Sequence, residues 1–143
     1  MIERKTMKKK FVCMFLMLAL TLGMTSVFAS ADTGSTYSTG SIGFSTKRIS
    51  DTKAAASVAI NFSATADKYT VTITLQKKSG SSWVTATDVS GNTIKYTGTN
   101  KFNVLTYDEW TVKKGIVYRV KCVSTDEYDR GSKYTSTSYS DPF

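Results

Sequence analysis

The chain has 143 residues, a formal net charge of +8, no histidine and two cysteines. The absence of histidine excludes a Ser-His or Cys-His catalytic pair and removes the commonest zinc ligand. A chain of this length fits one small domain. Composition therefore favours a small non-enzymatic protein over a histidine-dependent hydrolase or a zinc protein.

The first 31 residues have the pattern of an export signal. A basic start at residues 4–10 precedes an apolar run at residues 11–22, which is too short to cross a bilayer. Ala29-Ser30-Ala31 then supplies the small residues that a signal peptidase reads. We expect residues 1–31 to be a helical signal peptide cleaved after Ala31, which leaves a secreted, extracellular chain with no membrane span.

Removing this leader lowers the charge of the chain. The leader carries five of the 19 basic residues and one of the 11 acidic residues, which leaves a net charge of +4. That charge is compatible with anionic envelope polymers or membranes. No stripe of basic residues with interleaved aromatics is present, so the sequence does not predict nucleic-acid binding.

After a Ser/Thr/Gly-rich segment, residues 32–40, that we expect to be a flexible tail, the apolar residues recur at every second position. The clearest alternating runs are residues 56–64 and 69–75. Further strands are predicted near residues 42–44, 83–87, 94–96, 102–107, 116–124 and 134–139, with turns between them. Short strands at this spacing predict an all-β domain over residues 41–143, an antiparallel sandwich of about seven strands.

Two of these runs resemble strands of fibronectin type III and related immunoglobulin-like domains. One run matches the sixth strand of those domains, which carries a tyrosine near its start. The other run matches their third strand. The matching residues are Gly115, Tyr118, Val120, Cys122 and Ser124 for the sixth strand, and Tyr69, Val71, Ile73 and Leu75 for the third. The resemblance implies an immunoglobulin-like β-sandwich. The chain departs from it in lacking a second cysteine for an inter-sheet disulfide, and it also resembles small exported bacterial proteins of unknown function.

Cys122 is the one cysteine that remains after the leader. It lies on the same side of its predicted strand as Tyr118 and Val120, which favours a buried thiol. The alternative is a disulfide between two chains.

A cluster of carboxylates offers a weak candidate for calcium binding. Asp126, Glu127 and Asp129 fall in a predicted polar loop, and carboxylate oxygens are calcium ligands. The loop lacks the alternating ligands and central glycine of a known calcium loop, and Arg130 and Lys133 can neutralise it. We therefore expect a solvated loop, with no metal, no cofactor and no catalytic residue.

Four tyrosines are the candidate binding surface: Tyr107, Tyr128, Tyr134 and Tyr139. They fall in or near predicted loops or an edge strand. Exposed tyrosines among serine, threonine and glycine form adhesive surfaces, as in antibody loops, and also suit stacking on carbohydrate. The alternative is that these rings pack as ordinary structure.

These patterns together predict a secreted, non-enzymatic binding module at or near the cell envelope, with an envelope glycan or protein as its partner. The alternative is a small secreted bacteriocin-like or toxin effector that acts on membranes or the envelope. A hydrolase that uses carboxylates alone is a third possibility, but it would need a cleft for which so small a domain has little room.

Overall fold

The computed structural model describes residues 39–143, so the predicted signal peptide and residues 32–38 of the predicted tail lie outside the described residues. The described residues confirm the all-β class. They form one antiparallel sheet of six strands with a short 3-10 turn at Asp129–Gly131. The strands are β1 (Thr39–Ser50), β2 (Lys53–Ser79), β3 (Ser82–Thr85), β4 (Thr93–Thr111), β5 (Tyr118–Tyr128) and β6 (Ser132–Tyr139).

The strand β2 is far longer than the sequence predicts. Its 27 residues include both alternating runs that the sequence separates into two strands. The linking residues contain neither glycine nor proline, so nothing forces a turn there. A register shift between Asn61 and Ala66 bends β2 instead of ending it.

The strand β4 likewise runs through a predicted turn. The sequence predicts separate strands on either side of residues 98–100, but β4 is continuous from Thr93 to Thr111. Asn100 has a φ of 52°, in the left-handed region, and lies beside the register shift between β2 and β4. Asparagine tolerates this conformation better than most residues, so the glycine-containing segment bends the strand without reversing it.

These two long strands divide the sheet into halves. In the three-stranded half, residues 53–61 of β2 pair with β1 on one side and with residues 103–111 of β4 on the other. In the four-stranded half, residues 68–77 of β2 pair with β5 on one side, and β5 pairs with β6. The first part of β4 and the short β3 pair with the opposite side of β2.

The sheet curls so that its apolar face encloses the core. β1 contacts β5 and β6, which brings the edges of the two halves together. Every second residue of β5 is buried, from Tyr118 to Tyr128, and these side chains pack against the apolar positions of β2. Trp110 also lies in the core, where its Nε1 donates a hydrogen bond to the carbonyl oxygen of Gly91 at 2.9 Å.

Candidate functional site

The outer surface of the four-stranded half is strongly basic. Successive side chains of a strand point to opposite faces, so the residues that alternate with the buried ones in β2 and β5 point outward. The antiparallel pairing then aligns them in rows across the half. We call this surface the basic face, and it carries six cationic residues and one carboxylate: Lys68, Lys78, Lys95, Arg119, Lys121 and Lys133, with Glu127.

Most of this positive charge has no carboxylate beside it. Glu127 forms an ion pair with Lys133, with 3.6 Å between Oε2 and Nζ. Within residues 39–143, the other four lysines of the basic face form no ion pair, whereas four lysines elsewhere each pair with a carboxylate, namely Lys53, Lys77, Lys113 and Lys114. The basic face therefore retains a positive potential, whereas carboxylates partly neutralise the lysines elsewhere on the described surface.

Arg119 is held between two aromatic rings at one end of the basic face. Its guanidinium carbon lies 4.5 Å from the centre of the Trp83 ring and 4.1 Å from that of the Tyr139 ring. Its Nε donates a hydrogen bond to Oε1 of Gln76 at 2.8 Å. Lys78 Nζ is 5.0 Å from the Trp83 ring. Because guanidinium groups bind carboxylate and phosphate oxygens in a bidentate manner, this rigid cluster suits an anionic group.

A row of threonines crosses the basic face. The pairing of β4, β2, β5 and β6 places Thr97, Thr70, Thr125 and Thr135 opposite one another. The hydroxyl oxygens of Thr125 and Thr135 are 3.0 Å apart and share a hydrogen bond. A shallow depression beside this row is lined by Lys68, Tyr69, Thr70, Thr125, Glu127 and Lys133. The surface thus offers both cations and hydroxyl groups to a polar ligand.

The four tyrosines proposed from the sequence do not lie together on one surface. Tyr139 is 48% exposed in the cluster with Arg119. Tyr107 is 59% exposed but lies on the outer surface of the three-stranded half, where its hydroxyl donates a hydrogen bond to Glu109 at 2.6 Å. Tyr128 is only 5% exposed, and Tyr134 is half-buried with its ring centre 5.9 Å from that of Tyr128.

The burial of Tyr128 corrects its proposed surface role. The sequence places Tyr128 in a polar loop, but β5 extends through it, and alternation then directs its ring inward. Burial raises the pKa of Tyr128, and a hydrogen bond with Asp126 adds to this shift. Tyr128 and Tyr134 therefore contribute to packing between β5 and β6, whereas Tyr139 contributes to the basic face.

The calcium candidates are separated by the same alternation. Asp126 and Glu127 are strand residues, so their side chains leave the sheet on opposite faces. Asp126 is fully buried, Glu127 faces Lys133 on the basic face, and Asp129 is exposed at the start of the 3-10 turn. Their carboxylates do not converge on one point, and residues 39–143 contain no group of three side chains placed to hold a metal ion.

The core contains a second buried carboxyl group, that of Asp108. It is 6% exposed and accepts a hydrogen bond from the hydroxyl of Tyr96. Burial, with a further contribution from this hydrogen bond, raises the pKa of Tyr96 to about 12. The pair lies on the inner face of the sheet, where it joins parts of the fold instead of facing a substrate.

The thiol of Cys122 is buried, as the sequence predicts. It is fully inaccessible and unbonded to another cysteine. Burial raises its pKa to about 12, so the thiol stays protonated and weakly nucleophilic at neutral pH. The alternative of a disulfide between chains would require this side chain to leave the core.

Trp83 and Arg119 are not among the site residues that the sequence predicts. The Trp83 ring is half-buried on the basic face. One signal was available, because Arg119 lies between the inward-facing Tyr118 and Val120 and must point outward. Its contacts with Trp83 and Tyr139 depend on which strands are neighbours, and this information is not local.

Comparisons with known proteins identify no relative. No protein-family model matches the chain, no curated protein matches it, and no solved structure matches it. Among the described residues, no helix has the length and apolar character needed to span a membrane.

Proposed function

We propose that this chain is an exported, non-enzymatic binding module that attaches to an anionic polymer of the cell envelope through the basic face. The observation that carries the proposal is the concentration of six cationic residues and one carboxylate on one sheet surface. The export signal predicted from the sequence supports a location outside the cytoplasm, at the cell envelope.

The spacing of the charges supports a polymer as the ligand. Outward residues on one strand are about 7 Å apart, and neighbouring strands are about 4.8 Å apart. Lys95, Lys121 and Lys68 therefore form a broad array and not a single pocket. A chain with repeated negative groups can contact several of them at once, and the stacked Arg119 provides a fixed point of attachment at one end.

We also propose that the curled sheet is a two-layer sandwich of immunoglobulin-like type. One contact supports this: the hydroxyl of Tyr118, at the start of β5, accepts a hydrogen bond from the backbone N–H of Lys113 at 3.1 Å. Immunoglobulin-like domains use a tyrosine in this way at the corner between their sheets. Tyr118→Phe is expected to lose about 1 kcal/mol of unfolding free energy.

Binding to defined polymers tests the proposed function. We expect the purified chain to bind polyphosphate and polygalacturonate, to ignore neutral dextran, and to bind more weakly as salt is raised. The double variant Lys95→Glu/Lys121→Glu is expected to weaken binding at least about tenfold, or about 1.4 kcal/mol. Lys47→Glu is the matched control, because Lys47 is exposed on the three-stranded half and forms no ion pair among the described residues.

The same variants separate this function from its competitor. Because Lys47→Glu changes the net charge by half as much as the double variant does, a loss of binding free energy half as large would show that net charge matters and the basic face does not. Binding to dextran with the same affinity would exclude charge recognition altogether. Dye release from anionic lipid vesicles would favour the bacteriocin-like effector over a binding module.

A further inference from the structure

The strand β4 has an open edge in its second half. Residues 103–111 pair with β2 along one side, and no other strand within residues 39–143 pairs along the other. Three large apolar side chains are exposed here within six residues: Phe102 at 55%, Leu105 at 76% and Tyr107 at 59%. Unpaired edges with exposed apolar side chains are ready templates for another strand.

The sequence of this edge is complementary to itself. When two identical strands pair antiparallel about a two-fold axis at Leu105, Leu105 lies opposite its own copy and Lys101 lies opposite Glu109 of the second copy. Asn103 then lies opposite Tyr107. Asn103, Leu105, Tyr107 and Glu109 point to the outer surface, because they alternate with the half-buried or buried Val104, Thr106 and Asp108, and Lys101 is exposed at the end of this run.

A shifted register loses this complementarity. With the axis at Phe102, Lys95 would face Glu109, but Leu105 would face the polar Thr99. The axis at Leu105 is the arrangement that combines a central apolar contact with two flanking opposite-charge pairs. Cross-strand pairs of both kinds stabilise antiparallel sheets.

We propose that a second copy of this chain binds at residues 101–109 of β4, in antiparallel register about a two-fold axis at Leu105. The two three-stranded halves then form one continuous six-stranded sheet. The interface is small, so we expect a reversible dimer that forms in the micromolar range.

Cysteine cross-linking tests the register. Opposite residues in an antiparallel pair have Cα atoms about 4.5–5.5 Å apart, within the range of a disulfide. In a full-length Cys13→Ser background, Leu105→Cys is expected to give a covalent dimer under mild oxidation. Asn103→Cys and Tyr107→Cys are expected to cross-link only when mixed, and Thr111→Cys, the control, is expected not to cross-link.

A charge exchange tests the flanking pairs. Lys101→Glu is expected to raise the dimer dissociation constant about tenfold, because it creates two like-charge pairs between the chains. Glu109→Lys is expected to raise it at least as much, because it creates the same two pairs and also breaks the ion pair of Glu109 with Lys53 within each chain. The double variant is expected to restore the dissociation constant. This rescue must occur between chains, because positions 101 and 109 are eight steps apart along the strand, or about 26 Å.

Several results would overturn the proposal. A chain that sediments as a monomer at about 1 mM has no such interface. Failure of Leu105→Cys to cross-link, or cross-linking of Asn103→Cys alone, excludes this register, as would pairing of residues 32–38 with the same edge. A dimer that is unaffected by the charge exchange uses another surface.

Discussion

The hydroxyl of Tyr96 donates a hydrogen bond to Oδ1 of Asp108, although both residues lie on β4 and are twelve positions apart. In a straight strand, twelve residues span about 40 Å, which is more than two side chains can bridge. The contact therefore depends on the bend of β4 near Asn100. It links the two halves of the sheet across the core and gives the buried carboxyl group of Asp108 a donor.

Replacing Tyr96 with Phe removes this donor and keeps the ring. Because Asp108 is only 6% exposed, its carboxyl group cannot easily recover the hydrogen bond from water. We expect the free energy of unfolding to fall by about 1–3 kcal/mol, measured by urea denaturation. Tyr107→Phe is the matched control: it also loses a hydrogen bond to a carboxylate, but at an exposed site, where about 0–1 kcal/mol is typical. Equal losses would contradict the importance of burial.

Sequence alternation was sufficient to assign the inward face of β2. Val58, Ile60, Val71 and Ile73 are all buried, as their spacing predicts. The strand boundaries were harder to predict. A short glycine-containing segment such as residues 98–100 can reverse a strand or bend it, and the outcome depends on whether the partner strand continues alongside. Here β2 does continue, so both strands bend together and the predicted turns disappear.

The candidate site was predicted in part. The outward direction of Arg119 and the exposure of Tyr139 follow from alternation and position. The contacts of Arg119 with the rings of Trp83 and Tyr139 do not, because they require β3, β2, β5 and β6 to be neighbours in that order. Asp126 was misplaced for a local reason: polar residues surround it, and the alternation of Ser124, Asp126 and Tyr128 is not apolar enough to indicate a strand.

The buried thiol of Cys122 predicts a loss of stability at alkaline pH. Its pKa rises from 9.0 to about 12 on folding. Between these values the unfolded chain releases the proton and the folded chain retains it, so the free energy of unfolding decreases as pH rises. Cys122→Ala removes this contribution and should give a shallower decline between about pH 8 and about pH 10.5.

The measurement is the urea midpoint of the unchanged protein and of Cys122→Ala across this pH range. Tyr96 contributes a decline of the same sign, because its pKa is also raised, but it does so in both chains. The difference between the two curves therefore isolates the thiol. Parallel curves would show that the folded state accommodates the thiolate.

Alanine substitution is expected to have opposite effects on stability at two glycines, Gly98 and Gly43. A Cβ atom at position 98 would lie 2.5 Å from Oη of Tyr69 and 2.6 Å from its Cε1, whereas a Cβ at position 43 meets nothing within 4 Å. We expect Gly98→Ala to lower the unfolding free energy by about 1–3 kcal/mol, because Tyr69 packs against Phe62 and must move. Gly43→Ala should raise it by about 0.5–1 kcal/mol. Thermal or urea denaturation measures both effects. Similar effects of the two substitutions would show that the Tyr69 ring does not lie against Gly98.

The proposed dimer and the proposed basic face together predict avidity. The interface lies on the three-stranded half, so a dimer leaves both basic faces open to one long polymer. Two linked sites gain effective concentration, and we therefore expect Leu105→Lys to weaken binding to long-chain polyphosphate at least about tenfold. Binding to a short oligophosphate, which engages one face, should not weaken.

The added charge makes this result specific. A new lysine alone should strengthen binding to a polyanion, so weaker binding by Leu105→Lys must come from loss of the second site. Ile49→Lys is the control, because Ile49 is an exposed apolar residue of β1 outside the proposed interface. Fluorescence anisotropy with labelled polyphosphate of two lengths measures both affinities. If Leu105→Lys and Ile49→Lys bind the long polymer equally well, the two surfaces act independently and the joint prediction fails.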